Sequence, residues 1–237
     1  MGFGRGYFMM AGVSSRALIG LLLCGASSAC GGPPMRPGPL QEGRIDSEPS
    51  MECLPDPDVA DAAFTRRMQF GLTLAAESFL IPPPPPPSRQ IAANLQAWAE
   101  QRLAPWLERK SHTVEAARRE LDLAAEEDHR QRIIGGAVVG LMYEDVARLL
   151  ASIPAPEELD DEPEIQEIYR RILRSHARPF LEHARRAYRA CALNARQPEG
   201  MRHWSRFCRG RRDRLEDADA PVEGPASGET EVEVLTD

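Results

Sequence analysis

The chain has 237 residues, of which 42% are hydrophobic and 27% charged, with five cysteines and a formal net charge of −7. Once a leader and two polar tails are set aside, roughly 160 residues remain, enough for one domain with a real core. The acidity does not belong to that domain: residues 216–237 carry −8 with no base, which leaves the rest of the chain at +1.

The N-terminus reads as an export signal. The apolar run Ala17–Leu23 is too short to span a bilayer, which takes ~20 residues. It has the length of a signal-peptide core, with Arg5 and Arg16 before it and no acid among them. Gly25, Ala26, Ser27, Ser28 and Ala29 are small, and Cys30 follows them. This order resembles a bacterial lipoprotein signal, so residues 1–29 are expected to leave and Cys30 to carry the lipid. Ser27 and Ala29 also satisfy the ordinary small-x-small cleavage rule, so a secreted soluble product is the second choice. A misread start codon with a cytoplasmic product is the third. Gly31 follows the cysteine in place of Asp, and by resemblance to lipoprotein sorting this favours the outer membrane, facing the periplasm. Residues 30–56 are then expected to be a Gly/Pro-rich tether, too poor in apolar groups to fold.

Downstream, apolar residues recur at helical spacing and no strand pattern appears. A first helix is expected from Val59 to Leu80. Six prolines follow, residues 82–87, a polyproline II spacer of roughly 19 Å. Ser88 can cap a second helix carrying Ile91, Leu95 and Trp98. Another helical stretch begins after Pro105 and runs to about Ala125. The next helix, about Asp128 to Ser152, holds the apolar core Ile133–Met142, again too short to cross a membrane. Gly136 and Gly140 sit four apart on it, each costing ~1 kcal/mol of helix stability, which close approach of a neighbouring helix can offset. After the loop 153–163 comes a long helix, about Glu164 to Ala195, and a last one from Met201 to about Leu215. Residues 216–237 read as a disordered acidic tail.

Cys191 and Cys208 flank a turn marked by Pro198 and Gly200, at similar distances from it. An antiparallel helix pair would bring them together, and a disulfide there is favoured over two buried thiols. Closing that loop stabilises by ~3 kcal/mol in the chain-entropy model. Cys53 is a competing partner or a lone thiol. Lys110 is the single lysine in a chain of 28 arginines, a bias that fits a GC-rich genome better than a functional demand.

Catalytic patterns are scarce. His176 and His183 are seven apart, the wrong spacing for a helical zinc pair. The stretch 126–130 sets carboxylates beside His129 at a helix start, where they read as capping and dipole compensation. There is no nucleophile elbow, phosphate loop, CxxC or HExxH motif. Acids are plentiful, but none sits in a sequence context that would raise its pKa. No metal and no cofactor is expected. The last helix carries Arg202, Arg206, Arg209, Arg211, Arg212 and Arg214 with Trp204 and Phe207. Such a basic patch can bind anionic lipid or acidic polymer; an exported chain makes nucleic acid an unexpected partner.

The stretches "GGAVVGLMYEDVARLLASIPAPEELDDEPEIQEIYRRIL", "ARPFLEHARRAYRACALNA" and "HWSRFC" carry a family resemblance. Together they are similar to the C-terminal helical module of tetratricopeptide-repeat envelope lipoproteins, the gliding-motility type, of myxobacteria and related deltaproteobacteria. Val139, Gly140 and Tyr143 match the first helix of such a repeat, and Ala184 and Tyr188 the second. The resemblance implies helical hairpins in a degenerate TPR-like, α-solenoid-like bundle over residues 57–215. It also implies a scaffold for other envelope proteins and supplies no catalytic residues. The expected protein is therefore a non-enzymatic interaction module on a lipid anchor. Its expected working surface is the groove between the Gly135–Tyr143 helix and the 164–195 helix, with Gly136, Gly140, Tyr143, Tyr188 and Trp204 as contact residues. The rival is an envelope protein that binds anionic lipid or cell-wall polymer through the arginines of the last helix.

Overall fold

A computed structural model describes residues 43–57, 63–85 and 91–217. The expected signal peptide, the lipidated Cys30, the last two prolines of the spacer and the tail after residue 217 lie outside the described residues. Among those described there is no strand; the fold is an all-α bundle, as the periodicity predicts. Its helices are α1 (Arg66–Phe79), α2 (Ile91–Trp98), α3 (Ala104–Glu127), α4 (His129–Ala151), α5 (Pro163–Asn194) and α6 (Arg202–Asp217).

The helix α4 is the centre. Ile133, Ile134, Ala137, Val138, Leu141, Met142, Val146 and Leu150 are all buried. A helix apolar on every side has to be enclosed, and α1, α3, α5 and α6 all pack on it. Asp128 caps its start, accepting from the N–H groups of Arg130 at 2.8 Å and Gln131 at 3.0 Å. This is the capping role expected for that acidic cluster. Gly140 lets α5 approach: a methyl group added there would sit 2.5 Å from the Tyr188 ring. Tyr188 itself is fully buried.

Boundaries differ from the periodicity in two places. The first helix starts at Arg66, because Thr65 caps it by accepting from Met68 N–H. The Thr65 hydroxyl donates in turn to Gln131 Oε1 of α4 at 2.8 Å. Pro105 does not separate two helices. A π-helical turn, Ala99–Leu103, joins α2 to α3 without a break, and Pro105 is the second residue of α3.

The tether expectation fails for residues 43–56, which with Pro57 form a strap. This strap lies on the bundle, with Cys53 buried as a free thiol that donates to Glu48 O at 2.8 Å. Composition keeps the strap from forming a long helix, but its carbonyls find donors on the domain. Arg211 donates to Ser47 O at 2.7 Å and Arg214 to Ile45 O at 2.8 Å. The His203 ring donates to Asp56 O at 2.9 Å. Ile45 fits against Gly210, where a methyl would come within 2.6 Å of it. The folded unit thus begins by Gly43, not at residue 57.

Two neighbouring carboxylates on α4 anchor the charged interior. Asp145 pairs with Lys110 of α3 at 2.7 Å, both buried. Lys110 also donates to Ser78 O near the end of α1, where a cation is favoured by the helix dipole. The lone lysine therefore has a structural place that compositional bias did not suggest. Glu144 accepts from Tyr188 of α5 at 2.6 Å and from Arg211 of α6 at 3.3 Å. Burial raises its carboxyl pKa against the opposing pull of Arg211 and Tyr188, a context that the sequence did not reveal.

The expected bridge is present: Cys191 of α5 is bonded to Cys208 of α6. The polyproline segment folds back on its own chain, with the Trp98 indole donating to Pro85 O at 2.8 Å.

Two substitutions test this core. Gly140→Ala forces a methyl group into the Tyr188 ring and should cost ~1–3 kcal/mol of stability in urea unfolding. Asp145→Ala strands a buried ammonium and should cost ~3–5 kcal/mol, with much of the loss recovered in the Lys110→Met, Asp145→Leu double variant.

Candidate interaction groove

The contact residues expected from sequence divide into two sets. Gly140, Tyr188 and Trp204 are buried and form the α4–α5–α6 core, so they are not available to a partner. They looked like surface candidates because helical periodicity does not show which side of a helix pair faces outward. Gly136 and Tyr143 do line an open groove of about 310 Å³ between α3, α4 and α5, although Tyr143 is only 4% exposed.

Small residues make much of this groove: Gly135, Gly136, Val139, Ala125, Ala187 and Ala190. The Cβ position of Gly135 faces Leu121 of α3 at 3.6 Å and that of Gly136 faces Cys191 of α5 at 3.4 Å, so these glycines bring the three helices close together. Each of the three helices also contributes an arginine, Arg118 from α3, Arg132 from α4 and Arg186 from α5. At one end Tyr143 stacks on His183, with ring centroids 4.8 Å apart and planes 28° apart. The Tyr143 hydroxyl donates to Glu115 Oε1. Glu115 Oε2 receives Arg118 Nε at 2.9 Å, and Arg118 Nη1 reaches Asp122 at 3.3 Å.

The titrating groups of this cluster move together. Burial alone would raise the Glu115 pKa, but the Tyr143 hydroxyl and the Arg118 guanidinium outweigh it and hold the carboxyl below its ordinary value. Burial and the bond to Glu115 push Tyr143 well up. Burial, then the neighbouring Arg186, lowers His183, with Glu115 opposing. Burial raises Asp122, with Arg118 opposing. Near neutral pH the groove therefore presents a neutral stacked Tyr–His wall, two carboxylates already engaged by Arg118 and arginines on three helices. Such clustering of shifted groups in a cleft marks functional sites and structural ion-pair networks alike. Here Tyr143 becomes a poorer acid and Glu115 a poorer base, which suits recognition better than proton transfer.

The basic patch expected on α6 is smaller than its arginine count. Arg211 is fully buried and turned inward to Glu144 and the strap, and Arg214 holds Ile45 O. Arg212 pairs with Asp213 and Glu216. Arg202, Arg206 and Arg209 are exposed. Sequence reasoning overlooked Glu115, Arg118 and Arg186, because only the packing of three helices brings them beside Tyr143.

Folded His183 binds fewer protons than unfolded His183 between its lowered pKa and the ordinary 6.5. Its contribution to stability therefore rises with pH across that interval and is lost on acidification. The drop in thermal midpoint between about pH 7 and pH 5.5 should be smaller in His183→Gln than in the parent.

No protein-family model, curated protein or solved structure matches this chain, so the chemistry of the groove is read from its geometry.

Proposed function

We propose that this chain is an envelope lipoprotein, anchored through Cys30 to the outer membrane and facing the periplasm. In this reading it acts without catalysis, as a protein-interaction module of a scaffold. The observation that carries the reading is the α3–α4–α5 groove: a channel lined largely by small residues, with an arginine on each helix and a stacked aromatic end. It suits an acidic, partly extended segment of another envelope protein, whose carboxylates would meet Arg132 and Arg186 while its backbone lies over Ala187 and Ala190. The packing of Gly140 on Tyr188 supports the tetratricopeptide-like reading, since the resemblance assigns those two residues to paired helices.

The rival reading, binding of anionic lipid or cell-wall polymer through α6, retains the exposed Arg202, Arg206 and Arg209. It loses Arg211 and Arg214 to the strap.

A photo-crosslinking residue at position 190, in the groove, should capture one or a few envelope proteins in cells, and Arg186→Glu should abolish that capture. Capture unaffected by Arg186→Glu would overturn the groove reading. Recovery of lipid or wall fragments alone, lost with Arg206→Glu, would establish the rival. Independently, Cys30→Ser should release the protein from the membrane fraction.

A further inference from the structure

The N-terminal half of α5 carries an apolar seam that nothing among the described residues covers. Ile165, Ile168 and Ile172 are 43%, 48% and 51% exposed. Their spacing of three and four puts them on one stripe of the helix. Tyr169 and Leu173 on the neighbouring stripe are buried, so the exposed seam continues the core outward. Beside it lies an apolar groove of about 470 Å³, walled by Leu95, Trp98, Leu103, Tyr169, Ile172 and Leu173.

Charge is segregated along the same stretch. Asp160, Asp161, Glu162, Glu164 and Glu167 come first; Arg170, Arg171, Arg174 and Arg178 follow. The ion pairs this region makes internally are exposed ones, Glu167 with Arg174 and Arg178 with Glu182. Exposed pairs hold little energy and exchange readily. Glu164 and Arg171 are exposed and on the same flank of the isoleucine seam, and neither enters an ion pair among the described residues.

We propose that this face is a dimerisation surface and that its occupant is a second copy of the chain, packed antiparallel about Ile168. In that arrangement Ile168 meets its own copy near a two-fold axis and Ile165 faces Ile172 of the second copy. Glu164 faces Arg171 of the second copy. The pairing is isologous: each contact occurs twice, and the acidic end of each helix lies along the basic end of the other. A parallel pair would instead set acid on acid and arginine on arginine, which the same charges oppose. The apolar groove beside Ile172 gives the incoming isoleucine a place to bury. The surface uses the first half of α5, whereas the α3–α4–α5 groove uses the second, so this proposal does not depend on the groove reading.

Sedimentation of the full chain over a concentration series tests it. The parent should sediment as a dimer. Ile168→Glu should be monomeric with unchanged helical circular dichroism and thermal midpoint. Glu164→Arg should weaken the dimer by about tenfold or more, and adding Arg171→Glu should restore it. Ile168→Cys should form a disulfide-linked dimer absent from the parent and from an Arg189→Cys control. A parent monomeric throughout the series overturns the proposal. So does a dimer that survives Ile168→Glu, or a Glu164→Arg defect that Arg171→Glu deepens.

Discussion

Two adjacent carboxylates on the central helix hold the bundle in register. Asp145 reaches Lys110 and, through it, the end of α1; Glu144 reaches Tyr188, Arg211 and, through Arg211, the strap. Neighbouring residues on a helix point about 100° apart, so one peptide unit of α4 serves two different interfaces. Charges this deep are costly to desolvate and add little net stability over an apolar equivalent. Their effect is on arrangement. An apolar helix can slide or rotate among apolar neighbours at small cost, whereas a buried carboxylate permits only the packing that brings its partner.

The strap changes what the domain is. A Gly/Pro-rich segment read as tether is in its second half a structural element, closed onto α6 by arginines that had looked like a ligand-binding stripe. Two errors of sequence reading thus have one cause. Arg211 points inward, and the exposed Arg214 lies along the surface, because the strap's carbonyls require donors, and the strap is held in place because those donors are present. A backbone with no helix or sheet of its own still needs partners for its polar groups, and buried ones go unsatisfied only at a cost.

The long helix α5 does three things along its length. Its buried stripe, from Tyr169 to Cys191, closes the bundle against α4 and α6. Its first half leaves three isoleucines exposed, and its second half lends Arg186 and His183 to the groove. The disulfide to Cys208 ties the groove end of this helix to α6, and so limits how far that end can fray.

Helical content, the apolar run of α4, the capping at its start and the Cys191–Cys208 bridge were legible in the sequence. Each follows from local rules: a period of 3.6 residues, an apolar run too long for a one-sided helix, a capping side chain, two cysteines equidistant from a turn. Gly140 was legible as a site of close approach, though its neighbour was not. What only the tertiary structure decided is the fate of polar side chains. Lys110 and Arg211 are written like any surface cation, yet both are fully buried, while Arg202 and Arg206 on the same helix as Arg211 face solvent. Glu115, Arg118, Tyr143, His183 and Arg186 span 72 positions and become one cluster at the groove only when α3, α4 and α5 meet. Hydrophobic periodicity is a property of one helix and survives in its sequence. Charge pairing is a property of two or more helices, and no single segment encodes it.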